Sequence, residues 1–279
     1  MSLKRKAFDW LSSLAVRRAV RQDPSLRQMW DLSSRVLPEL GDHYATVHIK
    51  EEETLLRLRL LVCAQALFVK KVIARLKGQG QRVSSWVDVG DSDGAARLLF
   101  LAGVDPGDAI KTLGVNLEKE AIALIRSKGL EAEHMNAMDL HKKGIGCDLV
   151  SVFETLEHMP DPIGFLENMQ EVVGERLLIS VPLIVRSRVG LRYLTKKWEP
   201  SKKPGYSNNH MFELSPADWQ KLFQHSGWAI DEEWKVRQYP RSGLLKNVMQ
   251  AAWRKIAFEG YWFVSLKKDK TFSNQFIKG

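Results

Sequence analysis

Four side chains able to bind a metal ion or move a proton lie in two short segments of the sequence. Glu154, Glu157 and His158 are spaced i, i+3 and i+4, so one helical turn would bring all three to one side. His210 opens the segment H-M-F-E later in the chain. Carboxylates and imidazoles together suit Mg²⁺, Mn²⁺, Fe²⁺ or Zn²⁺. These four residues therefore predict a divalent metal site.

The same side chains support a second interpretation that needs no metal. Glu157 and His158 would then fix a loop and cap a helix, while His210 would act as a general base or orient the substrate. With a metal, chelation would instead lower the pKa of an attacking hydroxyl and orient it. Both interpretations stay open, and both make His210, Glu157 and His158 the candidate catalytic residues.

A glycine-rich turn is the second candidate site. Residues 87–94 read V-D-V-G-D-S-D-G, after a β-branched run and before a helical pattern. Glycine lets backbone N–H groups and the helix N-terminus approach a ligand closely. The carboxylates of Asp88, Asp91 and Asp93 would repel a pyrophosphate, which argues against NAD or ATP. A sulfonium and an ammonium would be attracted, so the turn favours S-adenosylmethionine.

Alternating strands and helices position these residues. We predict strands at 83–89, 111–115, 131–134, 148–153, 176–181, 228–236 and 260–267, and helices at 95–102, 118–128, 161–173, 215–226 and 244–257. Strands that alternate with helices of this length indicate βαβ units and a parallel sheet covered on both faces. Glu154 and Asp88 then belong to strand ends, where open α/β sheets keep their chemistry.

Residues 1–80 are predicted to form an N-terminal helical extension. In its first helix, an apolar face with Leu3, Ala7, Trp10 and Leu14 lies opposite a basic face. The basic residues are Lys4, Arg5, Lys6, Arg17, Arg18 and Arg21. Such a helix could lie on an anionic membrane, or pack on its own domain or on a partner subunit.

Composition excludes several classes of protein. The chain has 279 residues, of which 44% are hydrophobic, so it is globular rather than disordered or fibrous. Two cysteines cannot form a disulfide framework, which favours a reducing compartment and predicts a cytoplasmic protein. The sequence contains no uncharged apolar run of membrane-spanning length, and the N-terminus lacks the apolar stretch of a signal peptide.

The net charge of +9 is unevenly distributed. Residues 1–82 carry +8, residues 83–185 carry −9 and residues 186–279 carry +10. An acidic middle suits a cationic cofactor, and the basic flanks would meet an acceptor, a membrane or a partner. Within the third stretch, residues 186–212 form a basic, aromatic-rich connection predicted to cover an anionic or phosphorylated substrate. Its residues are Arg186, Arg188, Arg192, Tyr193, Lys196, Lys197, Trp198, Lys202, Lys203 and Tyr206.

In their order along the chain, these motifs resemble those of class I S-adenosylmethionine-dependent methyltransferases, in the type 11/12/23-like branch with an E-x-x-E-H motif. The resemblance implies a Rossmann-like, doubly wound, mostly parallel seven-stranded sheet over residues 81–279. It also implies a cofactor site in which the turn binds the methionine part, Asn116 stands where the family usually has a ribose-binding acid, and Asp139 reaches the adenine. The implied cofactor-binding residues are Asp88, Gly90, Ser92, Gly94, Asn116, Asp139 and Phe153.

The expected function is methyl transfer from S-adenosylmethionine to a hydroxyl group of a small molecule or glycan. The E-x-x-E-H part is similar to ubiquinone-biosynthesis O-methyltransferases. The H-x-F-E segment from His210 is similar to small-RNA 3′-terminal 2′-O-methyltransferases. Metal-dependent 2′-O-methylation of RNA ends is therefore one alternative, although the sequence lacks a separate RNA-binding module. A catalytically inactive methyltransferase-like protein is the other, suggested by Ser92 and Asn116.

Overall fold

The computed structural model describes residues 3–38, 40, 52–104, 110–189, 210–237 and 259–275. Its helices are α1 (Leu3–Gln22), α2 (Pro24–Val36), α3 (Glu52–Gly78), α4 (Ala95–Ala102), α5 (Lys119–Ser127), α6 (Pro162–Val172) and α7 (Pro216–His225). Its strands are β1 (Ser85–Val89), β2 (Lys111–Asn116), β3 (Ala132–His134), β4 (Cys147–Phe153), β5 (Val173–Leu183), β6 (Arg188–Val189), β7 (Phe212–Glu213), β8 (Trp228–Arg237) and β9 (Gly260–Lys268).

Seven of these strands form one sheet in the order β3-β2-β1-β4-β5-β9-β8. The first five run parallel, and β9 is antiparallel to both β5 and β8. Near the middle of the sheet, Val87 pairs with Val150 on one side and with Leu113 on the other. The predicted Rossmann-like, mostly parallel seven-stranded fold with N-terminal helices is confirmed.

Helices cover both faces of the sheet, so all but one residue in each of the central strands β1 and β4 are buried. One face packs against α2, α3 and α4, in a core that contains Trp86, Phe100 and Phe263. The other face packs against α6 and α7, with Val87 and Trp219 in its core. Strand neighbours such as Trp86 and Val87 enter opposite cores because successive side chains point to opposite faces.

The extension at residues 1–80 shares one hydrophobic core with the sheet through α3, whose buried face runs from Leu58 to Leu76. Asp23 caps α2 by accepting hydrogen bonds from the backbone N–H groups of Ser25 and Leu26. The predicted division of α1 into an apolar face and an opposite basic face is wrong, because residues 10, 14, 17 and 21 are spaced i, i+4, i+7 and i+11 and share one face. The side chains of Leu3 and Ala7 lie outside the described residues. Trp10 and Leu14 are exposed to solvent. A neighbouring stripe with Ser12, Ala15 and Val16 is buried instead, and Val16 belongs to the same core as the buried residues of α3.

Strand β5 continues beyond Pro182, where the sequence predicts its end. The carbonyl of Ser180 faces β4, because it accepts a hydrogen bond from Glu154 N, and the carbonyl of Leu183 faces β9, because it accepts one from Glu259 N. Successive residues of a strand direct their backbone groups to alternate neighbours, so the nitrogen of Pro182 faces the β4 side. At that position β4 has already ended. The proline therefore removes no ladder hydrogen bond.

Two predicted features lie outside the described residues: most of the basic connection, at 190–209, and the helix at 244–257. The residues that flank the connection form a small second sheet, in which β6 pairs with β7. Among the helices that the structure describes, none is long and apolar enough to cross a membrane.

Candidate active site

The glycine-rich turn and the Glu154–His158 segment belong to one site at the carboxyl edge of the sheet. Strands β1 and β4 are parallel neighbours, so the residues that follow them emerge side by side. Gly90 has φ +80°, and a Cβ atom there would lie 2.3 Å from Thr155 Oγ1. Only glycine therefore allows the turn to pack against the middle of the E-x-x-E-H motif.

Two carboxylates of the glycine-rich turn bind groups of the turn and of the neighbouring helices. Asp91 accepts hydrogen bonds from Gly94 N at 2.7 Å and from Arg97 Nε at 2.7 Å. Asp93 forms an ion pair with Lys128 at 2.8 Å. Cations of the protein therefore compensate two of the three aspartates from which the sequence analysis inferred the repulsion of a pyrophosphate.

Asp88 differs from the other two aspartates. It is buried and accepts a hydrogen bond from Ser151 Oγ, which in turn accepts one from the indole N–H of Trp86 at 2.6 Å. Burial raises the pKa of the Asp88 carboxyl well above its usual range, and the neighbouring Asp91 raises it further. Asp88 is thus a buried carboxyl group with a raised pKa, two residues before the glycine that begins the turn.

The two predicted contacts to the nucleoside part lie on adjacent connections. Asn116 donates a hydrogen bond to Asp91 O and accepts one from Glu118 N, so its amide holds the turn in place. Asp139 is half-exposed and pairs with Lys142 at 2.7 Å. Between them in sequence, Leu117 is 67% exposed and offers an apolar surface that the sequence analysis did not assign.

Two other predicted cofactor residues, Phe153 and Gly94, lie against apolar side chains of the protein. Phe153, at the end of β4, is buried against Phe263 with ring centroids 6.0 Å apart. Gly94 has φ +75°, and a Cβ atom there would lie 2.6 Å from Leu130 Cδ1. Ser92 is half-buried in the turn. Whether these residues contact the cofactor stays a prediction.

Glu154 does not join the other predicted metal ligands. It has φ +47°, in the left-handed region, and only residues 156–158 form the helical turn that was expected to include it. Its carboxylate accepts a hydrogen bond from Ser180 Oγ at 2.9 Å. The group whose donor atoms lie within 4.8 Å of one another contains Glu157, His158 and His210. The predicted four-residue site is therefore reduced to three residues.

Burial raises the pKa of Glu154 to about 8. Unfolding releases that proton between the unfolded value of 4.5 and about 8, so stability falls as pH rises through this window. We expect Glu154→Gln to flatten urea-unfolding free energies between pH 5 and 8, by up to about 1.4 kcal/mol per pH unit. Glu167→Gln, at an exposed position, should leave the slope unchanged. Equal slopes for all three proteins would contradict a neutral Glu154.

Glu157 is a deeply buried acid of the candidate site. It is 1% exposed, and neither carboxylate oxygen receives a hydrogen bond from another described residue. Burial raises the pKa of Glu157 well above its usual range, and the nearby Glu154 and Glu213 raise it further. An ionised buried carboxylate costs several kcal/mol without a partner. The site therefore favours either a proton or a cation at Glu157.

Two imidazoles face this carboxylate. His158 Nε2 lies 3.9 Å from Glu157 Oε1. The rings of His158 and His210 meet edge to face, with centroids 4.7 Å apart. The backbone joins the two segments where Met211 N donates to Glu157 O at 2.9 Å. The structure thus brings together the three predicted catalytic residues.

Glu213 and Arg188 complete the cluster, and the sequence analysis gave neither a role in it. Glu213 is buried, with Oε1 3.2 Å from His210 Nδ1 and Oε2 2.8 Å from Arg188 Nη2. Because a carboxylate only accepts hydrogen bonds, a neutral His210 carries its proton on Nδ1 and its lone pair on Nε2. The i, i+3 spacing of His210 and Glu213 was the sequence feature that could have indicated this contact.

A family model described as a methyltransferase domain matches residues 64–233, more than half of the chain. No sequence among the curated proteins matches. Among solved structures, the chain is similar at TM-score 0.50 and 15% identity to the 1,6-didemethyltoxoflavin-N1-methyltransferase of Burkholderia thailandensis, bound to 1,6-didemethyltoxoflavin and S-adenosylhomocysteine. That likeness covers 74% of this chain and 79% of the other.

Two further structures have the same TM-score of 0.50 and 15% identity. One is magnesium protoporphyrin IX methyltransferase from Synechocystis PCC 6803 with bound S-adenosylhomocysteine, covering 86% of this chain and 94% of the other. The other is the O-methyltransferase from a trans-AT PKS multienzyme of Brevibacillus brevis, in complex with S-adenosylhomocysteine, covering 85% and 79%. At this identity the three likenesses show the fold.

Proposed function

This chain belongs to the methyltransferase domain family, and we propose that it transfers a methyl group from S-adenosylmethionine to a hydroxyl of a small molecule or glycan. The observation that carries the acceptor chemistry is the cluster of Glu157, His158 and His210 beside the glycine-rich turn. In O-methylation a hydroxyl loses its proton while the methyl group arrives, so a proton acceptor next to the cofactor turn is what the reaction needs.

The turn and the next two connections fit S-adenosylmethionine in the chemistry of their groups. Asp88 supplies a carboxyl below the turn, Leu117 an apolar surface for the adenine, and Asp139 a half-exposed acceptor. Glycine at positions 90 and 94 keeps the turn clear of side chains. S-adenosylmethionine, when bound, supplies an electrophilic methyl carbon on its sulfonium.

Within the cluster, we assign the proton transfer to His210. Glu213 keeps the proton of the neutral ring on Nδ1, so the lone pair on Nε2 can accept the proton of the acceptor hydroxyl. The carboxylate then stabilises the imidazolium that results, and Arg188 holds Glu213 in position. Burial excludes water from Glu157 and Glu213, which strengthens these interactions.

A divalent metal is the alternative use of the same atoms. Glu157, His158 and His210 would hold it, and Glu213 would orient His210 from behind, as carboxylates do for metal-bound imidazoles. A bound metal would act as a Lewis acid on the acceptor oxygen. Activity that survives a chelator would support the general-base role of His210. Activity that is lost to the chelator and restored only by added metal would support the metal site instead.

The acceptor class is proposed on two grounds. The names of two neighbours give small molecules, 1,6-didemethyltoxoflavin and magnesium protoporphyrin IX, and the third is named an O-methyltransferase. The basic residues at 186–212 further favour an acceptor that carries negative charge. Methylation of RNA ends is the second candidate, favoured by the Glu157–His158–His210 cluster itself.

We propose a cytoplasmic location because Cys63 and Cys147 are buried free thiols.

Calorimetry with S-adenosylmethionine and S-adenosylhomocysteine tests the cofactor first. We expect binding by the wild type and weaker binding by Asp88→Asn, because the amide cannot ionise beside the cationic cofactor as the carboxyl group can. The chain is then incubated with labelled S-adenosylmethionine and three acceptor pools: hydroxylated small molecules, glycans and short RNAs. Label in RNA alone would select the second candidate. Cofactor binding with no transfer to any pool would favour the inactive methyltransferase-like protein, and absent binding would overturn the proposal.

Glu213→Gln tests the orientation of His210. An amide can present either a donor or an acceptor to Nδ1, so the neutral ring loses its fixed tautomer. We expect kcat to fall roughly 10- to 100-fold with little change in KM for the cofactor. The ¹⁵N shifts of His210 should then show mixed tautomers. Glu171→Gln, at an exposed acid of α6, is the control. An unchanged kcat would assign Glu213 to the Arg188 ion pair alone.

A further inference from the structure

We infer that α1 presents a docking surface for an anionic lipid bilayer, formed by Trp10, Leu14, Arg17, Arg21 and Arg27. This α1 surface lies apart from the candidate active site and does not depend on the proposed reaction.

The apolar part of the α1 surface is exposed where burial would be favourable. Trp10 is 62% exposed and Leu14 37% exposed, one helical turn apart. The inward stripe of the same helix already fills its contact with the protein, since Ser12 and Val16 are fully buried. Trp10 and Leu14 therefore do not pack against the rest of the chain, and an exposed apolar pair of this kind indicates a contact with another molecule or surface.

The basic part of the α1 surface continues the same stripe. Residues 10, 14, 17 and 21 are spaced i, i+4, i+7 and i+11, so their side chains share one face. Arg17 and Arg21 are exposed, and Arg27 joins them by donating a hydrogen bond to Arg21 O at 2.9 Å. Within the described ranges, no carboxylate pairs with any of these three arginines.

This combination fits a bilayer better than a soluble partner. Guanidinium groups bind phosphate oxygens through paired N–H donors, and indole rings prefer the boundary between headgroups and acyl chains. A 20-residue helix held flat on the domain by its buried stripe can lie in the plane of the headgroups, with Trp10 and Leu14 inserted. The local charge of +8 over residues 1–82 supplies long-range attraction to an anionic surface.

The test is co-sedimentation of the full chain with vesicles of phosphatidylcholine alone and with one third phosphatidylglycerol. We expect binding to the anionic vesicles only, weakened on the order of 100-fold when Arg17, Arg21 and Arg27 are all changed to Gln. Trp10→Ser should weaken it roughly tenfold. The charge-matched control changes Lys143, Lys221 and Lys267, which are exposed elsewhere, to Gln. It should bind nearly as well as the wild type.

Hydrogen exchange on the unmodified chain provides a measurement that does not depend on variants folding. Anionic vesicles should slow exchange in α1 and leave α7 unchanged. Binding to neutral vesicles alike, equal losses in the two triple variants, or no protection of α1 would each overturn the inference. So would vesicle-independent self-association through Trp10, or binding to RNA in place of vesicles that is lost with the three arginines.

Discussion

Replacing His210 by alanine is expected to lower kcat roughly 10³-fold while leaving the Kd for S-adenosylhomocysteine nearly unchanged. His210 is the proposed proton acceptor and contacts Glu213 and His158, whereas the cofactor residues lie on the turn and on other connections. The loss should therefore appear in the chemical step. Single-turnover kinetics with a responsive acceptor would separate that step from product release.

His225→Ala is the matched control for this prediction, because His225 lies exposed at the end of α7, away from the cluster. It should retain full activity. Glu157→Gln gives a second comparison within the cluster, because it keeps the buried shape and removes the ionisable group. A variant without His210 that keeps more than about a tenth of the wild-type kcat would exclude His210 as the general base.

The second large effect is expected on stability, from Arg97→Met. Arg97 is fully buried, binds Asp91 at 2.7 Å and Thr112 Oγ1 at 3.2 Å, and occupies space that only a glycine at position 114 leaves open. Methionine fills much of this volume but leaves the buried Asp91 without its cation. We expect a loss of about 3–5 kcal/mol in the free energy of unfolding, measured by urea denaturation.

Two controls identify the cause of that loss. Lys128→Met removes the cation of the neighbouring Asp93 pair. It should cost less than Arg97→Met, because the lysine is 26% exposed and water reaches this side of the pair. Adding Asp91→Asn to Arg97→Met should restore much of the stability, because the amide still accepts from Gly94 N without a buried charge. If the double variant is no more stable than Arg97→Met, lost packing rather than the uncompensated charge explains the effect.

The sequence by itself determined the seven strands of the main sheet, the helices described between them and their order. Helix α4 has the predicted bounds, and Ser215 and Asp161 cap α7 and α6 at the predicted starts. Period and capping are local properties, since they depend on residues within a few positions of one another. The alternation of strands and helices then left few topologies, and the mostly parallel sheet is one of them.

Only the tertiary structure decided which side chains meet. Periodicity placed Trp10 on an apolar face of α1 but could not say which stripe α3 would cover. Spacing grouped Glu154 with Glu157, yet the left-handed backbone at Glu154 and the hydroxyl of Ser180 on β5 separate them. No hydrogen bond from the described residues reaches the Glu157 carboxylate. Glu213 contacts His210, and this pair meets Glu157 and His158 because two segments far apart in sequence converge at one sheet edge. Burial and ion pairing depend on such distant neighbours, and local sequence does not encode them.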